Sequence, residues 1–189
     1  MLRTRKLNVY IRILLLVFAW GSLATTAHAH TTLANAFPGA FIEPELRPMM
    51  EEFLNLSLKA GIQLPLPTRI KRITIVSHEQ LLNSITVRGD IRAVTIMEPY
   101  SRETTILLDS ALRTQPQELR ILLFHELLHA AGYDHPNFEC HWAETGCGIM
   151  GRSPFPHLKI GLDHANEMIR KSFTAKYLAN LPLIFDSDL

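Results

Sequence analysis

Apolar residues recur at helical spacing in two parts of the chain, where charged or polar residues separate them. The first part is residues 43–60, which are followed by Gly61. Its Pro48 lies in the first turn, where a proline is tolerated. The second part is residues 158–178. The spacing predicts that each segment forms an amphipathic helix with one buried face.

Short stretches of alternating or β-branched residues lie between these two helices. Residues 72–77 alternate isoleucine with polar neighbours, as a half-buried strand does. Residues 85–87, 91–97 and 104–108 are further β-rich stretches with turn-forming residues between them. The pattern therefore predicts a small sheet of three or four strands.

A third helix is predicted between the last strand and the second amphipathic segment. Thr114 and Gln117 have the spacing of a capping box ahead of the apolar run 119–128, and Gly132 is expected to end the helix. Residues 133–156 are rich in Gly, Pro, His and Asn and are expected to form a loop. The order helix, sheet, helix, loop, helix indicates an α+β fold.

The composition fits one ordinary globular domain. The chain has 189 residues, of which 47% are hydrophobic, and a formal net charge of +1. Lysine and arginine are scattered and do not cluster on one predicted face, so the electrostatic footprint of a nucleic-acid-binding protein is missing. Nothing in the sequence indicates the oligomeric state, and a monomer is the default expectation.

The first 29 residues have the pattern of a signal peptide. Basic residues precede an apolar run at 13–20, and Ala27-His28-Ala29 offers small residues for cleavage. An uncleaved membrane anchor is the alternative, but the run is well short of the roughly 20 residues that span a bilayer. We expect residues 30–189 to be exported to a periplasmic or extracellular space and not to be held at a membrane after cleavage.

Only two cysteines occur, Cys140 and Cys147. They are close in sequence, and cysteines of exported proteins usually pair in the oxidising compartment that they reach. A disulfide between them is therefore expected.

The candidate chemistry lies in an H-E-x-x-H-x-x-G-x-x-H string that begins at His125 and ends at His135. Residues four apart share one face of a helix, so His125 and His129 can bind the same metal ion. A straight helix would carry His135 about 15 Å from His125 along its axis, out of reach of that ion. Gly132 allows the chain to turn back, because glycine adopts the left-handed conformation without a Cβ penalty.

Three neutral imidazoles leave a fourth position open for water, as in catalytic zinc sites. Zinc lowers the pKa of such a water from about 15.7 to about 7. Glu126, which follows the first ligand, is placed to take a proton from the zinc-bound water and to act as the general base. The residues thus predict one catalytic Zn²⁺ held by His125, His129 and His135.

At these residues the sequence resembles the metzincin clan of zinc endopeptidases, whose long zinc motif it matches at all five defining positions. The segment Cys147-Gly148-Ile149-Met150-Gly151 is similar to the methionine turn of the clan. The resemblance implies that Met150 lies under the zinc ligands, although a gap-filling core methionine is an alternative. It also implies a zincin-like fold with a small, mixed, twisted sheet, an N-terminal helix, the active-site helix and a C-terminal helix.

Two further expectations follow from the resemblance. Residues 104–108 would form the strand at the sheet edge that pairs with an extended peptide. Arg152 stands where some members of the clan have a tyrosine after the methionine turn, so another group, or the zinc alone, would steady the reaction intermediate. A zinc ligand from Cys140 or Cys147 is a competing possibility, but three histidines already suffice.

The leading functional prediction is an exported zinc endopeptidase that hydrolyses peptide bonds of a polypeptide substrate. One alternative is a zinc-binding protein of the same fold with little turnover, against which the presence of Glu126 argues. Another is a zinc hydrolase that acts on cell-wall peptides, which lie in the same compartment.

Overall fold

The computed structural model describes residues 32–61, 70–85, 91–101, 103–136, 148–151 and 161–183. Several predictions fall on other residues and lie outside this description. These are the signal peptide at 1–29, the cysteine pair Cys140 and Cys147, the departure at Arg152 and most of the strand at 85–87.

The described residues form six α-helices, four strands and two 3₁₀ turns. The helices are α1 (Leu33–Ala36), α2 (Arg47–Lys59), α3 (His78–Asn83), α4 (Pro116–Ala130), α5 (Leu162–Ser172) and α6 (Ala175–Leu178). The strands are β1 (Phe41–Ile42), β2 (Ile70–Val76), β3 (Ala93–Met97) and β4 (Thr104–Asp109), and the 3₁₀ turns are Pro44–Leu46 and Ser110–Thr114. None of the described helices is both long and apolar enough to cross a bilayer.

The four strands form one sheet in the order β1-β2-β4-β3. Strands β1, β2 and β4 are parallel to one another, whereas β3 pairs antiparallel with β4. The expectation of an α+β fold with a small mixed sheet is thereby confirmed.

The edge-strand expectation for residues 104–108 is wrong. These residues lie in β4, which is hydrogen-bonded to β2 on one side and to β3 on the other. Strand β4 is buried at most positions, which is typical of an interior strand, whereas every residue of β3 is only half-buried. Among the described strands, β3 is therefore the one that forms the edge of the sheet beside β4.

Two helix predictions also need correction. Thr114 does not cap α4, because it ends the preceding 3₁₀ turn and its hydroxyl group donates to the carbonyl of Ala111 at 3.0 Å. The N-cap position is Gln115, which makes no side-chain cap bond. The helix predicted at 158–178 is two helices among the described residues, broken before Thr174, whose hydroxyl group caps α6.

The core surrounds helix α4, which carries the histidine motif. Phe124 of α4 makes edge-on contacts with Phe53 of α2 and Phe173 after α5, with ring centroids 5.4 Å and 5.9 Å away. The opposite side of α4 packs against β3 and β4. A helix that is covered on both sides is apolar around most of its circumference, as α4 is. The helical part of the motif is therefore fixed in the domain, whereas His129 and His135 are partly exposed.

Glu43 joins β1 to the centre of the sheet. Its Oε2 accepts hydrogen bonds from the hydroxyl group of Thr74 at 2.6 Å and the amide of Ile75 at 2.7 Å, and its Oε1 accepts one from Arg113 at 2.7 Å. Burial alone would raise the pKa of Glu43, but these hydrogen bonds and the charge of Arg113 together lower it.

The lowered pKa of Glu43 makes its contribution to stability depend on pH. The ionised carboxylate stabilises the fold above the unfolded-state pKa of about 4.3, and this contribution is lost as pH falls through the lower folded-state pKa. We expect Glu43→Gln to lower the free energy of unfolding by about 1–3 kcal/mol at pH 7 and by much less near pH 3. Urea unfolding at the two pH values measures the difference.

Glu45→Gln is the matched control for Glu43→Gln. Glu45 contacts the same arginine, Arg113, at 2.7 Å, but it is more exposed and makes no such contacts with the sheet. Its loss should cost no more than about 1 kcal/mol. An equal cost for Glu43→Gln at both pH values would contradict the role given to its carboxylate.

Candidate metal centre

Two of the predicted ligands lie one turn apart on α4. The Nε2 atoms of His125 and His129 are 3.0 Å apart. Two nitrogens bound tetrahedrally to one zinc ion at about 2.05 Å would be separated by about 3.3 Å, so this distance is close to that of a shared ion. The helical spacing therefore brings the two imidazoles together as the sequence predicted.

The third histidine reaches the same place because the chain reverses at Gly132, just after α4 ends. This glycine has a φ of 95°, a left-handed conformation that reverses the chain after the helix. The ring centroids of His135 lie 5.0 Å from that of His125 and 4.6 Å from that of His129. One nitrogen from each of the three residues lies within 4.8 Å of the others, so the group could hold a metal ion.

The C-terminal residues fix the chain between Gly132 and His135. Tyr133 forms an isolated antiparallel bridge with Leu183, and the amide of Asp134 donates to the carbonyl of Pro182 at 2.9 Å. The segment that carries His135 is thus supported by contacts that come from the far end of the described chain.

The remaining ring nitrogens of the helical histidines contact main-chain carbonyls. His125 Nδ1 lies 2.6 Å from the oxygen of Ile149, and His129 Nδ1 lies 2.8 Å from the oxygen of Tyr133. A carbonyl only accepts, so each Nδ1 carries the proton and each neutral ring presents a lone pair at Nε2. Two lone pairs that face each other across 3.0 Å repel, and a cation between them removes the repulsion. The donor set therefore fits a metal ion.

Burial favours the neutral, metal-binding form of the first ligand. Burial lowers the pKa of His125 well below its usual value, and the neighbouring His129 acts in the same direction. Glu126, between the two ligands in sequence, is only 5% exposed. Burial raises the pKa of its carboxyl group, although His129 and a hydrogen bond from Thr95 oppose this effect.

Met150 lies in a buried turn beside His125. The carbonyl of the preceding residue, Ile149, contacts the ring of His125, and the side chains of both turn residues are fully buried. The amide of Ile149 donates to the hydroxyl group of Ser172 at 2.8 Å, and that of Met150 donates to the hydroxyl oxygen of Tyr177 at 3.2 Å. Helices α5 and α6 therefore hold the turn that orients the first ligand.

Gly148 allows this turn to approach α5 and α6 closely. Its φ is 55°, and a Cβ atom at this position would lie 2.5 Å from the hydroxyl oxygen of Ser172 and 2.6 Å from the ring of Tyr177. Any side chain here would meet both a strained backbone and two buried neighbours.

One residue of the site was missed by the sequence analysis. Thr95 of β3 donates a hydrogen bond from its hydroxyl group to the carboxylate of Glu126 at 2.7 Å. Thr95 and Glu126 are 31 residues apart, and no motif connects them. The only signal in the sequence was that Thr95 falls in a predicted strand.

The chain was compared with models of protein families, with curated proteins and with solved structures, and none of them matches it.

Removal of a single ligand tests the metal centre. We expect the protein from residue 30 onward to bind one zinc ion, and His135→Ala to weaken that binding by more than the roughly 10- to 100-fold that follows loss of an outer-shell partner. Competition with a chromogenic chelator measures the affinity. His164→Ala, which removes an exposed histidine of α5, should leave it unchanged. Equal affinities for the two variants would exclude His135 as a ligand.

A pair of glycine substitutions tests the turn at Met150. Gly148→Ala and Gly61→Ala both place a Cβ on a residue with positive φ, but only Gly148 has atoms within 4 Å of that position. We expect Gly61→Ala to cost about 1–2 kcal/mol in the free energy of unfolding. Gly148→Ala should cost more, and it alone should weaken zinc binding, because it displaces the carbonyl that orients His125. A zinc affinity that Gly148→Ala leaves unchanged would contradict this link.

Proposed function

We propose that the protein is a zinc-dependent endopeptidase that is exported to a periplasmic or extracellular space. The proposal rests on the juxtaposition of a three-histidine group that could hold a metal ion with a buried carboxylate, Glu126, on the helix that carries two of the histidines. A purely structural metal site has no use for such a carboxylate and commonly fills its fourth position with a residue. The resemblance of the motif to that of the metzincins supports the same conclusion.

The proposed reaction is hydrolysis of a peptide bond by water. A zinc ion held by His125, His129 and His135 would polarise the peptide carbonyl and make a water molecule more acidic. Glu126 takes a proton from the attacking water and delivers it to the nitrogen of the leaving amine. The raised pKa of Glu126, caused by burial, suits it to the first step, because a stronger base accepts the proton more readily.

An extended peptide is the substrate that the sheet favours. The ladder bonds from the amide of Asp109 to the carbonyl of Arg92, and from the amide of Glu98 to the carbonyl of Glu103, lie just beyond the two ends of β3. Because antiparallel pairs alternate, the even-numbered residues of β3 bond to β4. The main-chain groups of Ala93, Thr95 and Met97 then point away from β4, where a peptide could add as a further strand.

Substitution of the base tests the proposal. We expect Glu126→Gln to keep its zinc and to cleave an unfolded protein about 10²- to 10⁴-fold more slowly than the unchanged protein, because it has lost the general base. Zinc content and cleavage are measured on the same samples. Glu167→Gln, on the exposed face of α5, is the control and should cleave at the normal rate.

Two results would contradict the proposal. If the unchanged protein binds zinc but cleaves neither an unfolded protein nor peptidoglycan peptides, the chain is a zinc-binding protein without turnover. If it cleaves only the peptidoglycan peptides, it is a cell-wall hydrolase. Cleavage that is undiminished in Glu126→Gln would remove the role assigned to this residue.

A further inference from the structure

The hydroxyl group of Thr95 lies against both the side chain and the main chain of Glu126. Its Oγ1 is 2.7 Å from the carboxylate oxygen Oε2 and 3.0 Å from the main-chain oxygen of the same residue. A hydroxyl group has one proton, which these two acceptors share. The shorter contact is the one with the carboxylate, where a charge strengthens the hydrogen bond.

We propose that Thr95 is a positioning residue for the general base, an inference that rests on the proposed peptidase function. Its hydroxyl group holds Oε2 of Glu126, so that Oε1 is the oxygen that accepts the proton from water. A glutamate side chain has several rotatable bonds, and a base must be held close to its productive geometry to act efficiently. One hydrogen bond from the sheet removes much of this freedom.

The hydrogen bond can persist through the whole reaction. When water loses its proton to Oε1, its oxygen bonds to the peptide carbonyl carbon, and Oε2 of the now neutral carboxyl group still accepts from Thr95. When the carbon–nitrogen bond breaks, the proton passes from Oε1 to the amine nitrogen and the carboxylate is restored. The role of Thr95 therefore requires no change in its own contacts.

The position of Thr95 in β3 gives this hydrogen bond a second consequence. Its side chain points towards α4 and its main-chain N–H also acts on the carboxylate of Glu126, whereas its C=O group points to the outer edge of the sheet. A peptide added along this edge would thus bond to the same residue that holds the base. Thr95 would fix the distance between the bound peptide backbone and Glu126.

A purely structural role is the competing explanation. The bond from Thr95 to the main-chain oxygen of Glu126 ties β3 to α4 and would stabilise the fold even without a carboxylate. The two roles differ in what they predict for the serine variant, for the kinetic constants and for a variant that lacks the Glu126 side chain.

Kinetics of the zinc-loaded protein provide the first test. We expect Thr95→Val to lower kcat by roughly 10- to 100-fold and to change KM by less than about threefold. Thr95→Ser keeps the hydroxyl group and should restore most of kcat. Thr104→Val is the matched control, because Thr104 is fully buried in β4 and its hydroxyl group has no hydrogen bond with the described residues. This control should retain the normal kcat.

A double-mutant cycle provides the second test and does not depend on activity. Unfolding by urea is measured at a fixed excess of zinc for Thr95→Val, Glu126→Ala and the two combined. We expect Thr95→Val to lower the folding equilibrium constant about tenfold more when Glu126 is present than when alanine replaces it. A structural role through the main chain would give the same loss in both backgrounds.

The outcomes separate this inference from the proposed function. If the unchanged protein cleaves peptides and Thr95→Val has a normal kcat, or if the cycle is additive, Thr95 does not position the base while the peptidase function stands. If the unchanged protein cleaves nothing, the peptidase function fails and the inference fails with it. A lowered kcat that serine restores, together with a non-additive cycle, supports both.

Discussion

The hydrogen bond from His125 to the carbonyl of Ile149 joins the two parts of the chain on which the candidate metal centre depends. It fixes the proton on Nδ1 and leaves Nε2 for a metal ion. The carbonyl can orient His125 because its turn is held in place by hydrogen bonds to the hydroxyl groups of Ser172 and Tyr177. Burial raises the pKa of Tyr177 to about 12, so this residue stays a neutral phenol throughout the ordinary pH range. Orientation of the first ligand therefore begins in the last two described helices.

His129 and Glu126 are likewise oriented by parts of the chain outside the motif helix. His129 is oriented by the carbonyl of Tyr133, whose own position depends on the bridge to Leu183. Glu126, the proposed base, is held by a hydrogen bond from the sheet. The motif contains the side chains of the site, whereas other segments of the chain orient these side chains through hydrogen bonds. Such a site combines groups that are close in sequence with a scaffold that is not.

The sequence predicted the parts of the site that depend on local geometry. The four-residue spacing of His125 and His129 and the reversal at Gly132 follow from the dimensions of a helix and the freedom of glycine. The contact between Thr95 and Glu126 could not be predicted, because it depends on which strand lies beside α4. That order is set by tertiary packing. Strand β4, which was expected at the edge, is an interior strand, where its consecutive apolar residues Ile106, Leu107 and Leu108 are buried.

For the fold, the elements with a clear apolar pattern were predicted, and the short or locally ambiguous ones were not. The α+β class, the helix that carries the motif and three of the strands follow from periodicity, since each has a clear apolar pattern. The two-residue strand β1 is too short to show one. Helix α3 was not anticipated, although Ser77 and Gln80 form the capping box at its start. Thr114 was predicted to cap α4, but it is the last residue of the preceding 3₁₀ turn. The sequence alone does not show which of these two structures includes Thr114.

X-ray absorption at the zinc edge tests the central claim, a catalytic centre of three histidines, most directly. The zinc-loaded protein should show three imidazole nitrogens at about 2.0–2.1 Å and one further oxygen or nitrogen ligand. A sulfur atom at about 2.3 Å would contradict the claim, because it would place Cys140 or Cys147 on the metal and close the position that water needs.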